Sequence, residues 1–221
     1  MLRLAAILYA AFAAGAVFWC WLAHRFPWPL YDPDISTGRL LALGLAAGLG
    51  LGVGVALLSR LVVARLPWAR ELYRFFREAL GPLDRGHVLA LALLSSIGEE
   101  LFFRGAMQPA LGLWITTLVF GVLHFPSRAA LWPWTVMAAV LGLGFGLLTR
   151  HTGSVAGATL AHFLINLLNL GHIAHFPAPG ENLPGLDPAP SMNPHEPDSA
   201  LDHADNPSAP PGGAGRRSEP E

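Results

Sequence analysis

Apolar runs separated by short polar segments fill the chain up to about residue 175. Most of them approach the roughly 20 apolar residues that a helix needs to cross a bilayer. We predict membrane-crossing helices at residues 4–23, 40–64, 87–107, 111–125, 131–148 and 154–170. The first run is too long for a signal-peptide core and carries Trp19 and Trp21 near its end, so we expect it to be retained. The pattern therefore predicts an all-α fold, a polytopic transmembrane helix bundle of about six spans.

Residues 67–80 form an amphipathic segment between the second and third spans. Pro67 suits a first helical turn, and Gly81 follows the last one. The apolar face of this predicted helix consists of Trp68, Leu72, Phe75, Phe76 and Ala79. A helix of this kind can lie in the headgroup region, although an ordinary amphipathic connector has the same pattern. Its arginines make this the most basic loop, so the positive-inside rule places it, and with six spans both chain ends, in the cytoplasm.

Glycine spacing indicates close helix packing in two of the spans. The glycines recur every four residues at Gly44, Gly48 and Gly52, at Gly50 and Gly54, and at Gly142 and Gly146. Small residues at this interval let helix backbones approach closely in lipid. From Phe176 onward the hydrophobic pattern ends and Pro, Asp, Ser and Gly dominate, so we expect a disordered tail.

The composition supports a membrane protein. Hydrophobic residues make up 53% of the chain and charged residues 13%, with a formal net charge of -1. Soluble domains carry about a quarter charged residues. The low charge and the absence of a basic tract in the sequence argue against a nucleic-acid partner. A single cysteine, Cys20, excludes an intramolecular disulfide and a cysteine-based metal cluster.

Two adjacent carboxylates, Glu99 and Glu100, interrupt the third apolar run, with Arg104 four residues further on. A charge at membrane depth costs several kcal/mol, on the order of 3, and is usually functional. On a helix, Glu100 and Arg104 share a face in the order that favours an ion pair. Glu99 is rotated by about 100° from that face. We therefore expect Glu100 to pair with Arg104 and Glu99 to face another group, as a candidate general base.

Three further polar residues lie in predicted spans: His124 ends the fourth, while His162 and Asn166 share a face of the sixth. Together with Glu99 they could hydrolyse an amide, because a carboxylate and a histidine can deprotonate water while other donors stabilise the oxyanion. Glu99, His124 and His162 could instead bind zinc with an open position for water. Interhelical hydrogen bonding without chemistry is the third interpretation.

The ordered motifs resemble those of a known family. Glu99-Glu100-x-x-x-Arg104, Phe120-x-x-x-His124 and His162-x-x-x-Asn166 are similar to the three motifs of the CAAX protease and bacteriocin-processing (CPBP, Abi) family of intramembrane endopeptidases. The resemblance covers about residues 83–170. It divides the chain into N-terminal spans with the interfacial helix (1–82), a catalytic helix bundle (83–172) and the Pro-rich tail (173–221).

The resemblance implies peptide-bond hydrolysis within the bilayer. Glu99 would be the catalytic glutamate and His124 would help it to activate water. His162 and Asn166 would stabilise the oxyanion, and Glu100 and Arg104 would support the site. The implied mechanism needs no cofactor, with zinc as the alternative.

The expected partners are a membrane-embedded or lipidated protein or peptide substrate and the lipid bilayer. A small six-span chain looks like a prokaryotic member, located in the inner or plasma membrane. Its reaction would mature a peptide or remove a C-terminal sorting segment. The competing interpretations are a non-catalytic immunity or scaffold protein of the same fold and a proton-linked carrier.

Overall fold

A computed structural model describes residues 2–24, 32, 34–126 and 128–177. Throughout these residues the secondary structure is helical, without a β-strand. The helices are α1 (Leu2–Leu22), α2 (Gly38–Arg65), α3 (Pro67–Leu80), α4 (Arg85–Glu100), a π-helix (Leu101–Met107), α5 (Gln108–Leu111), α6 (Leu113–Leu123), a 3-10 helix (Ala129–Leu131), α7 (Trp132–Thr152) and α8 (Ala156–His175). The predicted all-α class is confirmed. The predicted tail lies outside the described residues from 178 onward, while α8 continues to His175, beyond the predicted boundary.

Four helical stretches are long and apolar enough to cross a membrane: α1, α2, the continuous stretch Arg85–Leu111, and α7. The predicted fourth span is shorter than expected, because Gly112 has a φ of 84° and α6 begins after it and has 11 residues. The predicted sixth span corresponds to α8, a helix of 20 residues that is not among these four stretches. Its histidines and asparagines explain why it is less apolar than the four candidate spans.

The segments run in alternating directions. At one end of the bundle, the backbone N–H of Asp32 donates to the carbonyl of Gly153. At the opposite end, α3 contacts the C-terminal end of α8, where the Tyr73 hydroxyl donates to the carbonyls of His172 and Phe176. Arg128, after α6, forms an ion pair with Glu78 of α3 at the same end. This order is the one expected of segments that each cross the bundle once.

Helices α2 and α8 approach each other closely, and glycine makes this possible. A Cβ on Gly48 would lie 2.2 Å from the carbonyl oxygen of Gly157, and one on Gly52 would lie 2.8 Å from Leu164 Cβ. The packing prediction is therefore confirmed for this face. It is wrong for Gly50 and Gly54, where an added Cβ would meet nothing within 4 Å. A period of four residues marks only the face that contacts another helix.

Helix α3 has the bounds that the sequence predicts. The hydroxyl of its buried Tyr73 anchors it to the end of α8. Four residues of the predicted apolar face line a cavity inside the bundle, namely Trp68, Leu72, Phe75 and Phe76. This face therefore turns towards the protein interior, and the headgroup location of the helix stays a prediction.

Candidate active site

A cavity of about 570 Å³ extends from the centre of the bundle to α3. Its wall is mainly apolar, with side chains of α2, α3, α7 and α8. The four predicted catalytic residues all line it: Glu99, His124, His162 and Asn166. Glu100 and Arg104 do not belong to its lining, so Glu99 and Glu100 face different surroundings, as the helix geometry suggested.

Glu99 lies near the middle of the stretch Arg85–Leu111, with 7% of its surface exposed. Its Oε2 atom makes no hydrogen bond within the described part of the chain. His124 Nε2 lies 3.8 Å from this oxygen. This distance is too long for a direct hydrogen bond but suits a bridge through one water molecule.

The orientation of His124 is fixed by the end of α6. Its Nδ1 lies 2.7 Å from the carbonyl oxygen of Phe120, and because a carbonyl only accepts, Nδ1 must carry the proton. In the neutral ring, Nε2 is then an acceptor that faces Glu99. The spacing Phe120-x-x-x-His124 thus sets the tautomer as well as the position of the ring.

Glu100 occupies a closed network behind the cavity, with no exposed surface. Its Oε1 accepts hydrogen bonds from Arg104 Nη1 at 3.1 Å and from His162 Nδ1 at 2.8 Å. The predicted Glu100–Arg104 pair is therefore present. The contact with His162 was not visible in the sequence, because no local pattern connects residues on different helices.

Two aromatic rings hold this network in place. The guanidinium of Arg104 lies 4.3 Å from the ring centre of Phe120, on the side of α6. The Phe120 ring is also 4.4 Å from the His124 ring, so it contacts both the arginine and this histidine. Phe145 of α7 stacks on His162 at 5.4 Å with an interplanar angle of 17°. Such contacts supply packing and cation–π energy inside the bundle.

Helix α7 accepts two hydrogen bonds through its glycines. Arg104 Nη2 donates to the carbonyl of Gly142, and Gln108 Nε2 donates to the carbonyl of Gly146, each at 3.0 Å. A Cβ on Gly142 would lie 3.2 Å from Arg104 Nη2 and 2.9 Å from Phe120 Cδ1. The glycine repeat of α7 therefore provides space for the site residues, a function beyond close helix packing.

Arg104 lies in a π-helix that follows directly after Glu100. Short π-helical segments occur often at functional sites because the extra residue per turn redirects side chains. No local pattern in the sequence predicts this element, which packs against α1 and α6.

Asn166 is oriented by a serine. Its Nδ2 donates to Ser95 Oγ at 2.8 Å, and Ser95 Oγ in turn is 3.3 Å from the carbonyl of Ala92. The second N–H of the amide is left for another acceptor in the cavity. The neighbouring Ser96 donates to the carbonyl of Leu93 and does not line the cavity. Ser95 is thus a further residue of the candidate site. Its sequence context does not predict the bond to Asn166, because that residue lies on another helix.

The zinc alternative was Glu99, His124 and His162. Across residues 2–24, 32, 34–126 and 128–177, no three His, Cys, Asp or Glu side chains are arranged as a metal site. In this arrangement His162 is oriented by the hydrogen bond between its Nδ1 and Glu100 Oε1.

Comparison with known proteins agrees with the motifs. Residues 83–168 match the family model of the type II CAAX prenyl endopeptidase Rce1-like proteins. Residues 83–168, the Rce1-like region, are thus similar to this family. The chain is also similar to an uncharacterized protein, YpbD, of Bacillus subtilis (strain 168), with 35% identity over 80 residues. That match covers 36% of this chain and 42% of YpbD. No solved structure gives a significant match to the chain.

The Rce1-like region begins just before α4 and ends within α8. It contains all six residues that the sequence singled out and the network around Glu100. Helices α1, α2 and α3 lie outside it, although α2 and α3 supply part of the cavity wall. The cavity residues therefore lie partly inside and partly outside the matched region, in a chain with four helical stretches long and apolar enough to cross a membrane.

Proposed function

We propose that this chain is an intramembrane endopeptidase in which Glu99 and His124 activate the attacking water. The observation that carries the proposal is the pair Glu99 Oε2 and His124 Nε2, 3.8 Å apart on the wall of an apolar cavity. Both atoms accept hydrogen bonds when the histidine is neutral and the glutamate is ionised. One water can donate a proton to each, and its lone pair is then directed away from both towards the cavity.

The proposed reaction follows from this geometry. The water oxygen attacks the peptide carbonyl carbon and its proton passes to Glu99, which acts as general base. Collapse of the tetrahedral intermediate breaks the C–N bond, and Glu99 returns the proton to the leaving amine. One water is consumed and Glu99 is regenerated. The burial of Glu99 keeps bulk water away from the charged intermediate.

Asn166 and His162 are the proposed oxyanion donors. The amide of Asn166 offers the N–H that does not bond to Ser95. His162 donates Nδ1–H to Glu100, so its Nε2 carries a proton only in the imidazolium form. Glu100 stabilises that form, and the four charges of Glu99, Glu100, Arg104 and His162 then sum to zero. Donors held in place in a low-dielectric site stabilise a developing oxyanion strongly.

The proposed substrate is a protein or peptide that already resides in the membrane. The apolar cavity wall favours such a substrate, and the matched family is described as acting on prenylated proteins. The similarity to a Bacillus protein supports a prokaryotic role in the inner or plasma membrane, such as removal of a C-terminal sorting or targeting segment. A zinc-dependent reaction and a non-catalytic immunity or scaffold role are the alternatives that experiment must separate.

Comparative membrane proteomics of cells with wild type or Glu99→Gln tests the proposal. We expect uncleaved termini of the substrate to accumulate in the variant, while the variant protein remains in the membrane at the wild-type level. Glu78→Gln is the matched control, because Glu78 is an exposed glutamate of α3 and does not line the cavity. An identical set of termini in all three strains would favour the non-catalytic role.

Chelation of the purified protein separates the two hydrolytic mechanisms. Cleavage that continues after thorough chelation, in protein shown by metal analysis to contain no zinc, supports the glutamate mechanism. Loss of cleavage on chelation and its return with added zinc would contradict it.

A further inference from the structure

Tyr9 of α1 lines the cavity together with Glu99, although α1 lies outside the Rce1-like region, which begins at residue 83. Its hydroxyl is a polar group on a candidate span that consists mainly of apolar side chains. In membrane proteins tyrosine is usually placed where its hydroxyl reaches water or a polar partner. The hydroxyl of Tyr9 therefore needs a partner inside the bundle.

The side of α1 that carries Tyr9 packs closely on α4 and the π-helix. Phe12, about one turn later, lies 5.2 Å from Phe102 between ring centres. A Cβ on Gly98 would lie 2.7 Å from the carbonyl oxygen of Tyr9 and 3.0 Å from Tyr9 Cβ. Because Gly98 directly precedes Glu99, the glycine lets the start of the Tyr9 side chain approach the helical turn that carries the proposed base.

The Tyr9 hydroxyl and the Glu99 carboxylate are complementary. Among the described residues, neither the Tyr9 hydroxyl nor Glu99 Oε2 has a hydrogen-bond partner. The Glu99 carboxylate acts electrostatically on the Tyr9 hydroxyl, so the two groups are near each other. A phenol hydroxyl can donate, whereas an ionised carboxylate only accepts. A hydrogen bond to an ionised group is about twice as strong as one between neutral groups.

We infer that Tyr9 is a positioning residue of the candidate site, whose hydroxyl donates to the Glu99 carboxylate through a water molecule of the cavity. A donor favours the ionised form of a carboxyl group, which is the form that can act as general base. The bond also restricts rotation of the carboxylate and keeps Oε2 directed at His124. This role rests on the proposed function, in which Glu99 takes the proton of the attacking water.

Carbodiimide labelling tests the hydrogen bond without any cleavage. N,N′-dicyclohexylcarbodiimide is an apolar reagent that modifies carboxyl groups in their protonated form. The full chain in phosphatidylcholine nanodiscs is labelled over a range of pH, and mass spectrometry measures the rate at each acidic residue. Loss of the donor favours the protonated carboxyl, so at the higher pH values Glu99 should react at least about fivefold faster in Tyr9→Phe than in the wild type.

The pH dependence separates protonation from access of the reagent. The ratio of the two rates should fall to one at low pH, where Glu99 is protonated in both proteins. A ratio above one that does not change with pH would mean wider access to the cavity and would overturn the inference, as would equal rates at every pH. The other ionisable groups that act on Glu99 are the same in both proteins: Glu100, Arg104, His124 and His162.

Two controls exclude a general loosening of the bundle. Glu100 is enclosed behind the cavity, and its labelling should be the same in wild type and Tyr9→Phe. Tyr73→Phe removes another hydroxyl of the cavity wall, one that donates to carbonyls at the end of α8, and should leave Glu99 at the wild-type rate. Faster labelling of Glu100 in Tyr9→Phe, or an equal increase at Glu99 in Tyr73→Phe, would reduce Tyr9 to a packing role and overturn the inference.

Kinetics with a substrate identified by the proteomic comparison give the second readout. Tyr9→Phe should lower kcat about tenfold and leave KM within about twofold, because Tyr9 acts through Glu99 and does not touch the substrate. A wild-type kcat in Tyr9→Phe would contradict the positioning role. A chain in which Glu99 labelling depends on Tyr9 but which cleaves no substrate would contradict the proposed function and leave the hydrogen bond intact.

Discussion

Glu99 and Glu100 are neighbours in the sequence, but they lie in different environments. Glu99 is on the cavity wall, and its Oε2 has no hydrogen-bond partner in the described residues. Glu100 is enclosed between Arg104 and His162, and both of these donate to its Oε1. A helix rotates successive residues by about 100°, so one pair of acids can supply a reactive group and a structural one.

These two environments suggest how a carboxylate can stay reactive inside a membrane protein. An isolated carboxylate is costly in a medium of low dielectric constant. In the proposed mechanism, Arg104 and the imidazolium of His162 carry two positive charges that balance the negative charges of Glu99 and Glu100, and this reduces the cost at Glu99. The network is therefore expected to determine stability, whereas the cavity wall is expected to determine activity.

The largest expected effect is on the free energy of unfolding, and it comes from the network around Glu100. Arg104→Met should lower the free energy of unfolding by about 3–5 kcal/mol, because it removes the guanidinium that pairs with the fully buried carboxylate of Glu100. Arg128→Met, which removes the exposed partner of Glu78, should change it by less than about 1 kcal/mol. Reversible unfolding in detergent micelles measures both. Equal effects of the two substitutions would contradict the assignment of the network to stability.

A substitution in α7 acts on both regions at once. Gly142→Ala should cost about 1–3 kcal/mol, because the added Cβ lies 2.9 Å from Phe120 Cδ1 and 3.2 Å from Arg104 Nη2. The displaced Phe120 ring should also move His124 and lower the cleavage rate. Gly144→Ala is the control on the same helix, since its nearest neighbour would be 4.0 Å away. We expect it to be neutral or slightly stabilising, and a loss of stability as large as that of Gly142→Ala would contradict the explanation.

A smaller effect should be confined to the cavity wall. Ser95→Ala removes the acceptor that orients Asn166, so we expect kcat to fall about tenfold with KM little changed, the cost of one weakened hydrogen bond in the transition state. Ser96→Ala, one residue away and directed at the helix backbone, should leave both constants unchanged. If both serine variants behaved alike, Ser95 would have no specific effect on Asn166.

The smallest effect concerns an acid outside the bundle. Asp84 caps α4, and the bond from the backbone N–H of His87 holds the pKa of its carboxyl below the usual value. A lowered pKa means that the ionised carboxyl adds stability above its unfolded-state pKa and that this contribution is lost as pH falls through the folded-state pKa. Asp84→Asn keeps a capping side chain but removes the charge. The difference in melting temperature between wild type and Asp84→Asn should therefore shrink as the pH falls below about 3.9, the unperturbed pKa of Asp, and a difference independent of pH would contradict it.

Local geometry explains why much of the site could be predicted from the sequence. The pairing of Glu100 with Arg104, the separate orientation of Glu99 and the position of His124 at the end of its helix all follow from spacing along one helix. The bond between His162 and Glu100 and that between Asn166 and Ser95 connect different helices. They depend on how α4 and α8 pack, and no spacing encodes that.

The fold shows the same division between local and tertiary information. The bounds of α3 follow from Pro67 and Gly81, which act within one turn. The glycine spacing of α2 predicts two possible packing faces, one with Gly48 and Gly52 and the other with Gly50 and Gly54. Only the position of α8 shows which face makes the contact. The π-helix had no local signal, because the sequence from Leu101 to Met107 is compatible with an ordinary α-helix.

The most direct test of the account compares Glu99→Gln with Glu100→Gln, each measured for cleavage of a substrate identified by the proteomic comparison and for unfolding. We predict that Glu99→Gln lowers the cleavage rate by at least about 10²-fold and leaves the free energy of unfolding unchanged or higher. We predict that Glu100→Gln lowers the free energy of unfolding by about 3 kcal/mol. Cleavage by Glu99→Gln at the wild-type rate would contradict the account.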